Sequence, residues 1–270
     1  QWVAEVQRWV EALVPPMGVS MGLISHEKDA SSAYLRHFPK WKAIELPRQG
    51  AVDATPLREM LWNLDEQPAE QVQAALATAL PEPVLQALTT WRETPAYAAV
   101  REEAQALAAY RAAWAGAPFA PVFVTVDALV VCAKHVLLVQ RGHSPGKGLL
   151  ALPGGFLEQS DTLQASAQRE LQEETGLALS AEDWQAALQG VRVFDHPERS
   201  LRGRTITHVY VLHLPGDTLP EVNGGDDAVA ADWVPLQELW QLEPQFFEDH
   251  FHILRTCFAQ FGGGPLPALP

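Results

Sequence analysis

The sequence predicts a two-domain α/β protein. Its 270 residues fit two domains of ordinary size, and 47% apolar residues supply a packed core and exclude wholesale disorder. Short apolar runs of strand length alternate with segments of helical periodicity. The composition changes at Ala115–Pro118, where Ala-, Leu- and Gln-rich segments give way to β-branched runs. We therefore predict domains over residues 1–117 and 118–262, followed by a loose tail over 263–270.

The first domain begins with a predicted helix over Trp2–Val14, whose apolar residues recur at helical spacing and which ends before two prolines. Apolar runs at Val19–Ile24 and Ala43–Leu46 predict short buried strands. Helical segments then run from Thr55 to about Ala113, interrupted at three prolines. This order predicts an α/β unit with a helical extension.

The second domain begins with two β-branched runs. Phe123–Val131 and Val136–Val139 are joined by Ala133–His135, which predicts a hairpin. Further strands are predicted at Gly190–Phe194 and Thr205–Leu214.

Charge and cysteine content exclude several classes of protein. The net charge of −14 argues against a protein that binds nucleic-acid backbones, because neutralising phosphates requires a cationic face. Cys132 and Cys257 have neither the spacing of a metal site nor the density of a disulfide scaffold, so we expect a reducing, cytoplasmic setting. The apolar stretch Pro121–Val139 is interrupted by charged residues, so no membrane span is expected.

The segment with the clearest chemical signal is a helix that we predict to be capped by Asp161 or Thr162 and to end at Gly176. Glu170, Glu173 and Glu174 are spaced i, i+3 and i+4 and so project from one face. Like charges at this spacing cost an isolated helix a few tenths of a kcal/mol per pair, which suggests a cation at this face.

The three carboxylates suit a divalent cation, because Mg²⁺ and Mn²⁺ prefer oxygen ligands. The preceding pair Gly154–Gly155 lets the backbone approach the same ion or a phosphate. The alternative is a solvated acidic helix face that follows an ordinary glycine turn.

The whole segment Gly155–Leu177 resembles the Nudix box: a glycine, five residues, a glutamate, seven residues, then Arg-Glu-apolar-x-Glu-Glu-x-Gly-apolar. Every fixed position matches except one, where Asp161 replaces the usual glutamate. The resemblance implies a Nudix α/β/α sandwich with a mixed sheet. It also implies divalent ions bound by the three glutamates and the Gly154 carbonyl, with Arg169 orienting the loop.

By the same resemblance, the ion would polarise a diphosphate and lower the pKa of the attacking water, which makes Glu173 and Glu174 catalytic candidates. In related hydrolases the general base often comes from an acidic loop outside the box. Asp226 or Asp227 is the candidate here, and the alternative is that Gly224–Asp227 is simply a turn.

Three arginines lie near an aromatic residue in the segment from Phe194 to His208, and arginine suits both phosphate contacts and stacking on a base. The alternative is a solvated loop of mixed charge. Together with other sequence segments between Pro121 and Phe258, this segment resembles the ADP-ribose pyrophosphatase half of bifunctional nicotinamide mononucleotide adenylyltransferase/ADP-ribose pyrophosphatases. We predict that Phe194 contacts the adenine or the terminal ribose and that Arg199, Arg204 and Arg141 bind the substrate.

The first domain resembles the adenylyltransferase half of the same family, a partial Rossmann-like nucleotidyltransferase domain. Residues 25–41 resemble its mononucleotide region and residues 52–58 its ATP-phosphate motif, with Asp53 in place of a serine. Trp41, Thr55 and Arg58 are the predicted residues of this incomplete or vestigial nucleotide site, with Thr55 as a helix cap. The family's His-x-Gly-His signature does not occur in the sequence, which begins at Gln1. Either residues upstream are missing or the domain is a remnant, and a chain of this sequence is not expected to make NAD.

These observations predict a Mg²⁺- or Mn²⁺-dependent Nudix hydrolase that cleaves ADP-ribose to AMP and ribose 5-phosphate. Three alternatives are a Nudix hydrolase of NADH or an oxidised nucleotide, a bifunctional enzyme if upstream residues restore the transferase, and a non-catalytic sensor of NAD metabolites. By analogy with related hydrolases, a homodimer is also expected.

Overall fold

The computed structural model describes residues 2–14, 20–25, 38–47, 54–62 and 69–261. The predicted tail over 263–270 lies outside them. The chain divides into two compact units, Gln1–Leu57 and Arg58–Pro270. Among the helices in the described ranges, none combines the length and apolar character that crossing a membrane requires.

The first unit contains helix α1 (Trp2–Leu13) and strands β1 (Gly22–Ser25) and β2 (Lys42–Glu45), which pair in parallel. The strands lie close to their predicted positions, but the expectation that they are buried is wrong. Ile24 is 66% exposed and Ile44 is 40% exposed. A sheet of two described strands offers little surface with which to cover apolar side chains.

Four helices form the predicted extension: α2 (Ala54–Trp62), α3 (Ala69–Ala79), α4 (Glu82–Arg92) and α5 (Pro95–Ala113). Because α2 includes Ala54, Thr55 lies inside the helix and not at its cap. The prolines that interrupt the helical pattern lie in the first turn of a helix or just before it. A backbone N–H has no partner within the helix there, so its absence in proline costs no hydrogen bond. The Tyr97 hydroxyl of α5 donates to the Leu61 carbonyl of α2 at 2.6 Å, which joins the start of α5 to the end of α2.

A seven-stranded mixed sheet forms the centre of the second unit. Its main order is β5-β4-β3-β8-β7, with β6 paired to β3 and β9 paired to β4. Of these pairs β3 and β8 are parallel and the others antiparallel. The strands are β3 (Phe123–Cys132), β4 (His135–Arg141), β5 (Leu150–Ala151), β6 (Gly154–Phe156), β7 (Leu188–Phe194), β8 (Thr205–His213) and β9 (Ala228–Pro235).

Helices cover both faces of this sheet. On one face α6 (Leu163–Thr175) and α7 (Ala181–Ala187) pack against Val126 and Val130 of β3. On the other, α9 (His250–Phe261) and the short α8 (Leu239–Leu242) pack against Leu129. Successive β3 side chains alternate between the two cores, as the pleat of a strand requires. The predicted α/β class and mixed-sheet sandwich are confirmed.

The predicted hairpin of β3 and β4 is short. Ala133 and Lys134 form its turn with φ of 44° and 63°, and only Val131–Val136 and Cys132–His135 pair beyond it. The two strands then part, and β3 pairs with β6 over Thr125–Asp127, while β8 pairs along nearly the whole length of β3. This opening brings Gly154 and Gly155 beside the middle of β3.

Candidate active site

The predicted acidic helix is α6, and its ends match the predicted signals. Thr162 is the N-cap, and its hydroxyl accepts a hydrogen bond from the Ala165 amide at 3.2 Å. Gly176 ends the helix with φ of 71°, in the left-handed region that favours glycine. Asp161 instead accepts a hydrogen bond from Arg169 Nε at 3.2 Å, so the aspartate still holds the arginine of the motif.

Glu174 lines a cleft beside β6, and Glu170 lies next to Gly155, which lines the same cleft; we call these two glutamates the acidic wall. Both are buried, whereas Glu173 is exposed. The Gly154 amide donates to Glu174 Oε2 at 2.9 Å. A Cβ on Gly155 would lie 2.4 Å from Glu170 Oε1, so the carboxylate occupies the space of a side chain at that position. The glycine pair was predicted to let the backbone approach an ion or a phosphate. In the structure, the side chains of Glu170 and Glu174 approach this backbone.

Burial makes this wall unfavourable for negative charge. It raises the pKa of Glu174 to about 8, although the Gly154 amide opposes the shift. It raises the pKa of Glu170 as well. Asp127 on β3 is buried and accepts a hydrogen bond from the Thr207 hydroxyl, and its pKa is raised to about 6, chiefly by burial.

Arg169 compensates part of this charge from the helix. Its guanidinium contacts Glu173 Oε2 at 2.8 Å and Glu170 Oε1 at 3.1 Å, and it also lies 3.7 Å from Glu158. Arg169 thus connects the acidic residues of α6 with the preceding loop.

The donor set fits a hard divalent cation. Within the described ranges no three histidine, cysteine, aspartate or glutamate side chains are already gathered as a metal site. Arg169 and the Gly154 amide hold the α6 carboxylates in their present positions. The buried oxygens of Glu170 and Glu174 are nevertheless ligands of the kind that Mg²⁺ and Mn²⁺ prefer, and neutralisation by a cation would favour their ionised form.

Three arginines form the basic wall of the same cleft: Arg141, Arg199 and Arg202. Arg199 makes two hydrogen bonds to Asp249, at 3.0 and 2.8 Å. Arg202 Nη2 lies 3.6 Å from Glu248 Oε2.

Arg141 differs from the other two. Its Nε donates to the Pro145 carbonyl at 3.0 Å, and its guanidinium lies 4.2 Å from the centre of the Phe247 ring. Burial and the nearby Arg202 lower the pKa of Arg141.

The predicted substrate residues divide into two groups. Arg141 and Arg199 line the cleft with Glu174. Phe194 is only 9% exposed and belongs to the core beneath α9. Arg204 donates to the Asp195 carbonyl and lines a second surface pocket, to which Arg202 also contributes, but it does not line the cleft.

Sequence reasoning gave no role to Arg202, Asp127 or His250, all of which line the cleft. A lone acid within a β-branched run was the available signal for Asp127. His250 is buried, and its Nδ1 accepts a hydrogen bond from the Leu152 amide at 3.1 Å. Burial and the neighbouring arginines lower the pKa of His250 to about 3, so it stays neutral and supports the loop before Gly154.

The loop that carries Asp226 and Asp227 packs against the end of α6. The Gly225 amide donates to the Glu174 carbonyl at 3.2 Å, and a Cβ at this glycine would lie 2.5 Å from the Glu173 carbonyl. The charge of Asp226 acts on Glu170, and that of Asp227 acts on Arg141. The loop therefore lies beside the end of α6, with both aspartates exposed and neither of them lining the cleft.

The predicted N-terminal nucleotide residues stay predictions. Trp41 stacks on Phe38 with ring centres 4.7 Å apart. Thr55 and Arg58 are exposed on α2. Residues 26–37 and 48–53, which carry most of the two motifs, lie outside the described residues.

Comparison with known proteins gives consistent matches. A family model described as NUDIX domain matches residues 122–257, about half of the chain. The ADP-ribose pyrophosphatase of Methanocaldococcus jannaschii is 36% identical over 132 residues, which cover 49% of this chain and 70% of that protein. A bifunctional NMN adenylyltransferase/ADP ribose pyrophosphatase from Francisella tularensis has a similar structure, with a TM-score of 0.75, 35% identity, and coverage of 97% of this chain and 75% of that one. Its complex with AMP and a Mn ion gives a TM-score of 0.74 at 34% identity, with the same coverage. The chain belongs to the NUDIX family, as the motif on α6 predicted.

Proposed function

We propose that this chain hydrolyses the diphosphate bridge of ADP-ribose to give AMP and ribose 5-phosphate, with Mg²⁺ or Mn²⁺ as its cofactor. The observation that carries the proposal is one cleft in which the buried carboxylate of Glu174 lies together with three arginines, with the buried Glu170 next to Gly155 of the same cleft. The two similar proteins, one an ADP-ribose pyrophosphatase and the other bifunctional with that activity, support the choice of substrate. The complex of the latter with AMP and a Mn ion supports both the product and the class of metal.

The carboxylates of Glu170, Glu173 and Glu174 and the Gly154 carbonyl would hold the metal. A bound divalent ion polarises a diphosphate and lowers the pKa of a bound water. Arg169 has a positioning role, because it contacts both Glu170 and Glu173 and holds Asp161. Gly155 leaves the space in which the Glu170 carboxylate lies, and Gly154 allows the backbone to approach Asp127.

The basic wall binds the anionic bridge and stabilises the charge that develops on its oxygens. Arg141 is the principal candidate, because its described hydrogen bond goes to a neutral carbonyl and leaves its charge for a phosphate. Arg202 stands closer to the metal loop than Arg204 does, since it shares the cleft with Gly154 and Gly155. We therefore assign Arg202 to the phosphates in addition to Arg199, and give Arg204 no contact with the bridge.

Asp226 is the proposed general base. Its loop is fixed to α6 through the Gly225 amide, and its charge acts on Glu170. A carboxylate in that position can accept the proton of an attacking water beside the acidic wall. Asp227 lies 3.8 Å from His143 Nε2, with both side chains exposed, and is the weaker candidate.

The test is release of AMP from ADP-ribose with Mg²⁺, with Mn²⁺ and with a chelator. We expect activity with either ion and none after chelation. Glu174→Gln should lower kcat/KM at least about a hundredfold, equivalent to roughly 3 kcal/mol. Glu182→Gln, at an exposed position of α7, is the matched control and should retain full activity. Equal activity of the two variants would refute the assignment, and release of AMP from NADH alone would favour another nucleotide substrate.

We also propose that residues 1–117 are the adenylyltransferase-like region. The Francisella tularensis match supports this, since it covers 97% of the chain and therefore extends beyond the NUDIX domain. We expect no NAD from ATP and nicotinamide mononucleotide with this chain, because its sequence has no His-x-Gly-His signature. Measurable NAD formation would contradict the interpretation of this region as incomplete or vestigial.

A further inference from the structure

A cavity of about 630 Å³ adjoins the basic wall of the cleft. Arg199, Phe247 and Glu248 line both the cavity and the cleft, so the two spaces share a wall. The cleft itself has a volume of about 40 Å³ and polar walls, which leaves no room for a nucleoside. The cavity has that room, and it opens beside the arginines that would hold a diphosphate.

Helix α5 forms one side of this cavity, through Leu107 and Glu103, although α5 precedes the segment that the NUDIX family model matches. Leu107 presents an apolar surface next to Pro145 and Leu149. An apolar wall of this kind suits the face of a base, and His196 on the same cavity supplies a polar edge.

Hydrogen bonds join α5 to the two loops that complete the cavity. The Glu103 carboxylate accepts the Gly146 amide through both oxygens, at 2.8 and 2.9 Å. Arg111 donates to the Leu201 carbonyl through Nε at 3.1 Å and Nη2 at 2.6 Å. The first contact fixes the loop that follows Arg141, and the second fixes the loop between Arg199 and Arg202. Helix α5 therefore anchors two of the loops that line the cavity.

We propose that this cavity holds the nucleoside half of the substrate and that α5 is a specificity element, with Leu107 in contact with the base and Glu103 positioning the loop around Gly146. The inference rests on the proposed function and deepens it. It assigns the AMP half of ADP-ribose to the α5 side of the cleft and leaves the ribose 5-phosphate half on the other side. Phe194, which lies in the core, is not needed for the base.

The first test is chemical protection of Leu107→Cys. Cys132 and Cys257 are the two native cysteines and both are buried, so the introduced thiol is the reactive one. With Mg²⁺ present, AMP should slow alkylation by iodoacetamide at least fivefold, whereas ribose 5-phosphate should leave the rate unchanged. Ala109→Cys, at an exposed position of α5 outside the cavity, should be alkylated at the same rate with either ligand. Protection by ribose 5-phosphate and not by AMP would overturn the proposal.

The second test fills the cavity with Leu107→Trp. We expect KM for ADP-ribose to rise at least tenfold with kcat within threefold of the native value, and inhibition by AMP to weaken in parallel while inhibition by ribose 5-phosphate does not. Ala109→Trp is the matched control. If tryptophan at this position disturbs folding, the protection test with Leu107→Cys still decides the proposal.

Calorimetry with AMP separates this inference from the proposed function. AMP binding without protection of Leu107→Cys refutes the nucleoside cavity alone. If AMP does not bind and ADP-ribose is not hydrolysed, both fail.

Discussion

The two walls of the cleft balance their charges in different ways. Two arginines of the basic wall have carboxylate partners, because Arg199 is paired with Asp249 and Arg202 faces Glu248. On the acidic wall, the one described hydrogen bond to the Glu174 side chain comes from the Gly154 amide. Burial raises the pKa of Glu174 to about 8. The basic wall is thus largely neutralised by the protein, whereas the acidic wall gains stability from an added cation. Arg141 makes no described ion pair with a carboxylate, although the charges of Glu174, Glu248 and Asp227 act on it.

The largest effect is expected from the paired arginine. Arg199→Ala leaves Asp249 without its two hydrogen bonds and should lower the free energy of unfolding by about 3 kcal/mol. Arg141→Ala should change stability by less than about 1 kcal/mol, since the lost hydrogen bond goes to a carbonyl, but it should raise KM for ADP-ribose about tenfold. Urea unfolding and steady-state kinetics measure the two effects. If both variants lost the same stability, the distinction between the arginines would be wrong.

The acidic wall is tested next by Gly155→Ala. The added methyl group would lie 2.4 to 2.7 Å from the carboxyl atoms of Glu170, which must move away. Because this carboxylate is the end of a flexible side chain, we expect the fold to survive while kcat/KM falls about a hundredfold, roughly 2.7 kcal/mol. Gly116→Ala is the control, since a Cβ there meets nothing within 4 Å. A fully active Gly155→Ala would mean that the position of Glu170 is unimportant.

The acidic loop allows a comparison of two neighbouring carboxylates. Asp226→Asn should lower kcat about fiftyfold with little change in KM, in the range expected for a general base, whereas Asp227→Asn should lower it less than threefold. The opposite order of effects would transfer the role of base to Asp227.

The smallest effect concerns the support of the metal loop. Folded His250 stays neutral down to a pKa of about 3, whereas the unfolded chain takes up a proton near the ordinary value of 6.5. Unfolding therefore binds a proton between these values, and stability falls as the pH falls below about 6.5. His250→Gln cannot titrate, so its stability should depend less on pH, by up to about 1.4 kcal/mol per pH unit. Urea unfolding at pH 7, 6 and 5 measures the slopes, and parallel slopes would contradict the assignment.

Local signals in the sequence predicted much of the second unit. Thr162 and Gly176 bound α6 because capping depends on neighbouring residues. The spacing of Glu170 and Glu174 placed both on one face, and the structure turns that face to the sheet. Strands β7 and β8 lie within two residues of their predicted ends, because their β-branched runs are continuous.

The residues that the sequence did not indicate depend on long-range packing. Arg202 and Arg204 are two positions apart in the same loop, and only the fold determines that Arg202 faces the cleft. Strand β9 was missed because Asp232 and exposed Val229 obscure its alternation. The contact of Glu103 with Gly146 spans 43 residues, and no local pattern reports it.

The hydrogen bonds of α5 have a practical consequence for anyone who isolates the catalytic part of this chain. A fragment that starts at residue 118 or 122 would keep every carboxylate and arginine of the cleft, yet it would leave the Gly146 amide and the Leu201 carbonyl to solvent. A fragment that starts before Pro95 retains both anchors. The useful cut for expression therefore falls upstream of the family boundary, at the short turn between α4 and α5.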